Sequence, residues 1–156
     1  MSFGLVYALI GAAIAVAIPG VSSAIGIGYV GQASAGAMND NPKNFGRFLI
    51  LLAVPGTQGI YGFVIAFLIL QKIGIVAGNI VPLTDAQGLA LLLVGIPVGI
   101  GGLTAIFQGK VCTAGVGLTA KRPEESGKSL VMAVFVEFYA VLGLLASIFI
   151  LFGVKV

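Results

Sequence analysis

The chain has 156 residues, of which 59% are hydrophobic and only 8% charged, and its mean hydropathy is +1.16. A soluble domain carries about 25% charged residues, so a wetted globular surface is excluded and the chain reads as a membrane protein. The net charge of +3, eight Lys and Arg against five Asp and Glu, reports where loops lie and gives no reason to expect nucleic acid as a partner.

No charged segment precedes the first apolar run, which continues past signal-peptide length, so no cleaved signal is expected. That run, over 3–38, predicts a first helix of roughly 50 Å, which has to protrude, tilt or bend at Pro19. Asn39-Asp40-Asn41-Pro42 is a run of helix breakers that turns the chain. A second helix is predicted over 45–77. The segment from Gly78 to Thr84, with Pro82, leads to a third helix over 85–120, which Thr84 or Asp85 caps. Lys121-Arg122-Pro123 ends that helix, and a fourth follows over 126–154. The fold class is therefore all-α, with a first hairpin over 1–77, a linker over 78–84 and a second hairpin over 85–156. Five of the eight Lys and Arg residues (Lys43, Arg47, Lys121, Arg122 and Lys128) fall in turns that four spans put on one side. The positive-inside rule makes that side cytoplasmic and puts both termini outside the cell membrane.

The two hairpins repeat each other. Ile18-Pro19 recurs as Ile96-Pro97 and Gly31 as Gly109, 78 residues on. After a three-residue insertion the offset becomes 81, and Pro42, Gly46, Leu49, Gly62, Ile69 and Leu70 meet Pro123, Gly127, Leu130, Gly143, Ile150 and Leu151. Chance likeness between apolar helices is the alternative, but matching prolines and turns favour duplication. Equivalent segments lie two spans apart, so the repeats are parallel rather than inverted. Small residues at every fourth position mark two helices: Gly20, Ala24, Gly28 and Gly36 on the first, interrupted by Gln32, and Gly101, Ala105, Gly109, Thr113 and Gly117 on the third. Such stripes let backbones approach closely. They suit packing within a four-helix bundle or the inner wall of a ring of copies, and two nearly continuous stripes lean toward the ring.

Glu137 is the only acid well inside a span. A carboxylate at that depth is costly and marks an ion or substrate path; the plain alternative is a structural carboxylate satisfied by a hydroxyl. Its repeat counterpart is Gly56, so one hairpin keeps the acid and the other has none. Beside Gly56, Pro55 removes an amide hydrogen, so nearby carbonyl oxygens can turn away from the helix ladder. Val54, Thr57, Gln58 and Tyr61 share one helical face and bring a carbonyl, a hydroxyl, an amide and a phenol to the depth of Glu137. Gln108 adds an amide on the third helix. Lys110 points to nearly the opposite face, where it can either snorkel or face a ring lumen holding lipid headgroups or water, and Gln32 is expected to make a helix-packing hydrogen bond. Cys112 is expected to pack as a small apolar residue. The absence of histidine removes the usual imidazole ligand and proton shuttle.

Pro55-Gly56-Thr57-Gln58-Gly59-Ile60-Tyr61-Gly62, Phe107-Gln108-Gly109-Lys110 and Val136-Glu137-Phe138-Tyr139-Ala140 together closely resemble the K (c-type) proteolipids of V-type ATPases, nearest to bacterial sodium-pumping members. The resemblance covers essentially the whole chain. It implies a ring of identical subunits turning against a stator subunit that carries an essential arginine, with the cytoplasmic turns holding a central stalk. It also implies a sodium site made by the carbonyl of Val54 and the side chains of Thr57, Gln58, Gln108 and Glu137, with Tyr61 hydrogen-bonded to Glu137. No role is implied for Tyr139.

Three other readings compete. The same rotor could carry protons, for which a buried glutamate alone suffices, whereas a hard cation needs several oxygens. A small dimeric multidrug exporter would need neither duplication nor paired small-residue stripes. A purely structural four-span protein leaves Glu137 without a purpose. The chain holds no phosphate-binding loop, so ATP hydrolysis is expected on other subunits.

Overall fold

The computed structural model describes residues 2–40 and 42–156; Asn41 of the expected first turn lies outside them. All regular structure among the described residues is helical, in four rods: α1 (Gly4–Asp40), α2 (Pro42–Lys72), α3 (Asp85–Lys121) and α4 (Pro123–Gly153). Each is long and apolar enough to cross a membrane. Large apolar side chains such as Ile60, Phe63, Phe149 and Phe152 lie on the outside, where only lipid or other apolar protein can cover them. The chain is a multi-pass membrane protein.

Local chemistry sets the ends. Both α2 and α4 open with a proline in a short tight turn, where the missing amide hydrogen costs nothing. Thr84 caps α3 by a reciprocal pair: its hydroxyl accepts the Gln87 amide at 3.3 Å, and Gln87 Oε1 accepts the Thr84 amide at 2.9 Å. Asp85 holds the start of α1 instead, accepting the Phe3 amide at 2.7 Å and the Ser2 hydroxyl at 3.1 Å. The second helix stops at Lys72, five residues short of the expected 77. Gly74 takes a φ of +80° and closes the helix. Its amide returns to the Gln71 carbonyl at 3.0 Å and the Ile75 amide to the Leu70 carbonyl at 3.1 Å, the paired bonds of a left-handed glycine stop.

Without a hydrophobic drive between helices in lipid, α1 and α3 hold together by backbone contact. Gly88, Gly95, Gly102 and Gly109 recur every seven residues along α3 and meet Gly4, Gly11, Pro19 and Gly26 of α1. A side-chain carbon on Gly109 would sit 2.5 Å from the Gly26 Cα. This seam is not the stripe read from four-residue spacing. Of that stripe, Ala105 and Gly109 face α1 and Gly101 faces α4, while Gly20, Gly28, Gly36 and Gly117 have no neighbour within 4 Å of where a side chain would begin.

Two apolar cores fill the bundle. One, toward the termini, includes Ala12, Ile65, Ile69, Leu91 and Val94. The other, toward the turns, joins Val30, Phe48, Leu51, Cys112, Val116 and Ala133, with Cys112 packed as expected. Between them lies a polar layer.

Candidate functional site

The polar layer is built by three helices. Within α2, Val54–Gly56 forms a tight turn between the α-helical runs Phe45–Ala53 and Thr57–Lys72. The Val54 carbonyl does not leave the helix. It accepts the Thr57 amide in the i to i+3 pattern, and the Thr57 hydroxyl at 3.0 Å. Ser23 of α1 braces the same turn by accepting the Gly59 amide at 3.0 Å.

From this turn a continuous chain of contacts crosses the bundle. Thr57 Oγ1 lies 3.3 Å from Gln58 Oε1, so its single proton faces two oxygens. Gln58 Nε2 donates to Gln108 Oε1 at 2.6 Å. Gln108 Nε2 donates to the Ala133 carbonyl at 3.1 Å and reaches Glu137 Oε2 at 3.3 Å. Tyr61 closes the far side, its hydroxyl donating to Glu137 Oε1 at 2.6 Å. Gln58 and Gln108 are fully buried, while Glu137 and Tyr61 are partly so. All six residues singled out from sequence, Val54, Thr57, Gln58, Tyr61, Gln108 and Glu137, therefore lie in one cluster.

Its electrostatics are simple. Among the described residues the only ion pair is Lys128 with Glu125 at 2.5 Å, so Glu137 has no countercharge. A carboxylate at mid-membrane needs a proton or a cation to neutralise it. Tyr61 and Gln108 touch it directly, and the neutral groups of Gln58, Thr57 and Val54 follow along the chain of contacts, so a monovalent cation at Glu137 would leave the cluster uncharged.

Two participants were missed in the sequence. The Ala133 carbonyl is one helical turn before Glu137, but no side chain announces a backbone acceptor. Ser23 sits in the pair Ser22-Ser23 within an apolar helix, a visible signal that was not linked to the site. Lys110 stays apart, exposed and 5.7 Å above the Phe107 ring. Gln32 makes no hydrogen bond to another described residue, contrary to the packing bond expected of it. It lines a cavity of about 530 Å³ with Tyr29, Ala33, Lys110 and Thr113.

The family model for the ATP synthase C subunit matches the chain twice, over residues 10–69 and 92–150. The V-type sodium ATPase K subunit of Enterococcus hirae is 42% identical over 92% of this chain and 89% of its own. The A-type ATP synthase K subunit of Methanocaldococcus jannaschii is 38% identical over 96% of this chain, which spans 64% of that longer relative. The 16 kDa proteolipid of the V-type proton ATPase of Nephrops norvegicus is 29% identical over 92% of this chain and 88% of its own.

Proposed function

The chain belongs to the ATP synthase C-subunit family, and on that premise we propose that Glu137 carries a sodium ion across the membrane as a ring of copies turns. The chain is a rotor proteolipid of a V- or A-type ATPase and is not itself an enzyme. Duplicate matching to that family leaves the exporter and structural readings without support.

The hydrogen-bonded relay from Val54 through Thr57, Gln58 and Gln108 to Glu137 carries the sodium reading. A proton needs only the carboxylate. Fully buried amides at Gln58 and Gln108, and a hydroxyl at Thr57, add oxygens of the kind a hard cation requires. One carboxylate among neutral oxygens balances one positive charge. The Enterococcus hirae relative is named for sodium and the less similar Nephrops norvegicus relative for protons, which also favours sodium here.

In the loaded site, Tyr61 and Gln108 hold the two oxygens of Glu137 while the ion takes the remaining lone pairs. The neutral site can then pass through lipid. A stator arginine would release the ion by competing for Glu137. We place the two hairpins over 1–77 and 85–156 with the linker over 78–84. The turns, rich in Lys and Arg, face the cytoplasm and a central stalk, and both termini lie outside.

The test is equilibrium binding of radioactive sodium to the purified ring. One sodium per chain, lost in Glu137→Gln, is expected. No saturable sodium binding, with Glu137 still accepting a proton, would leave the proton rotor as the reading.

A further inference from the structure

Lys72 ends α2 on the side of the bundle that holds the termini. Its ammonium donates to the Leu151 carbonyl of α4 at 2.9 Å. That carbonyl lies in the last turn of its helix, where carbonyls lack helical partners. The contact is therefore an end cap for α4. It uses one of the ammonium's three protons and leaves its charge unmatched.

No carboxylate of the chain supplies the missing charge. Of the five acids, Asp40, Glu124 and Glu125 belong to the turns at the opposite end. Glu137 is bound to Tyr61, eleven residues and about 16 Å back along α2. Asp85, at the same end as Lys72, is taken by the Phe3 amide and the Ser2 hydroxyl. The only ion pair among the described residues joins Lys128 to Glu125. Lys72 is a half-buried cation whose partner has to come from outside the chain.

The surroundings of Lys72 narrow the chemistry of that partner. A groove of about 190 Å³ between α2 and α4 is lined by Leu68, Gln71, Lys72, Leu151 and Phe152. An ammonium and an amide stand at the end of the span, and Leu68 lies one turn nearer mid-membrane on the same helix face. Phe152 is 74% exposed. A donor pair for an anion thus continues into apolar surface, at the depth where helices leave hydrocarbon and meet headgroups.

We propose that Lys72 and Gln71 hold the phosphate of an anionic phospholipid whose acyl chain lies over Leu68 in the groove between α2 and α4. Basic pockets between membrane helices recognise headgroups in this way. Free phosphate matches the ammonium but makes no use of Leu68, Leu151 and Phe152. A zwitterionic lipid brings its own cation, which offsets the attraction. The site is separate from the ion site and does not depend on which ion Glu137 carries. It lies on the same seam, since Tyr61, Leu68 and Lys72 share one face of α2, so a bound lipid braces α2 against α4 outward of Glu137.

Fluorescence quenching in vesicles tests the proposal. The chain has no tryptophan, so Phe152→Trp provides a single reporter beside the groove. The purified assembly is reconstituted in phosphatidylcholine with a small, equal fraction of brominated phosphatidylglycerol or brominated phosphatidylcholine. Quenching should show the anionic lipid enriched about fivefold at the reporter, the attraction of one lysine near the surface. Adding Lys72→Arg should keep the enrichment, and adding Lys72→Met should abolish it. Gln71→Leu, which leaves the Leu151 bond in place, should lower it, and decides the matter if Lys72→Met fails to fold. Equal quenching by the two lipids, or enrichment that survives both Lys72→Met and Gln71→Leu, would reduce Lys72 to an end cap and overturn the lipid site. Reversal of the enrichment by millimolar inorganic phosphate would mean a site for a bare anion, and would overturn it too.

Discussion

Gln58→Leu separates sodium binding from proton binding at Glu137. The side chain is fully buried, Leu has nearly its size, and the change deletes one oxygen beside Thr57 and one donor to Gln108. Loss of the 2.6 Å bond strands a buried Gln108 oxygen, which costs about 1–3 kcal/mol of stability. Loss of a polar contact to a charged ion costs about 1.5–3 kcal/mol of affinity, or about 10- to 150-fold in the sodium dissociation constant. A hydrophobic carbodiimide reads both states, because it attacks the protonated carboxyl and bound sodium shields it. Labelling of the variant without sodium should proceed as in the parent chain, while half-protection should need about 10- to 150-fold more sodium. An unchanged protection curve would refute a ligand role for Gln58. Loss of labelling without sodium would show that the substitution disrupts Glu137 itself.

The remaining predictions use the same geometry. Glu137→Gln should assemble normally and carry no ion, since the amide keeps the shape but not the charge; native mass and transport in reconstituted vesicles check the two halves. Sodium protection of Glu137 should strengthen as pH rises, because proton and sodium compete for one carboxylate; labelling rates across pH at fixed sodium test this. Gly109→Ala should cost about 1–3 kcal/mol by overpacking, because its new carbon would meet the Gly26 backbone. Gly117→Ala, with open space around it, should be neutral or mildly stabilising, and thermal unfolding of the purified ring ranks the two. Gly74→Ala should destabilise the end of α2, since a φ of +80° penalises any side chain and Asn79 occupies the space; hydrogen exchange over 70–81 would report it.

Much of this was legible in the sequence, for physical reasons that differ by element. The spans stand out because lipid demands long apolar helices, and the site because carboxylate, amides and hydroxyl are rare at that depth. Thr57, Gln58 and Tyr61 could be grouped because helical spacing puts them on one face. The second helix ends at Lys72 rather than 77 because Gly74, which inside an apolar run reads like any packing glycine, takes a positive φ in the turn around Asn79. The glycine seam was hidden in a similar way. Alanines and glycines at four-residue spacing form the more conspicuous pattern, whereas close contact with α1 follows the seven-residue series Gly88, Gly95, Gly102 and Gly109. The carbonyl of Val54 illustrates the limit of reasoning from proline alone: Pro55 tightens the turn without freeing that oxygen.

The most direct test of sodium carriage by Glu137 uses the whole ATPase reconstituted in sealed vesicles. ATP-driven uptake of radioactive sodium should be abolished by Glu137→Gln and should persist when a protonophore collapses any pH gradient. Acidification of the vesicles with no sodium uptake would contradict it.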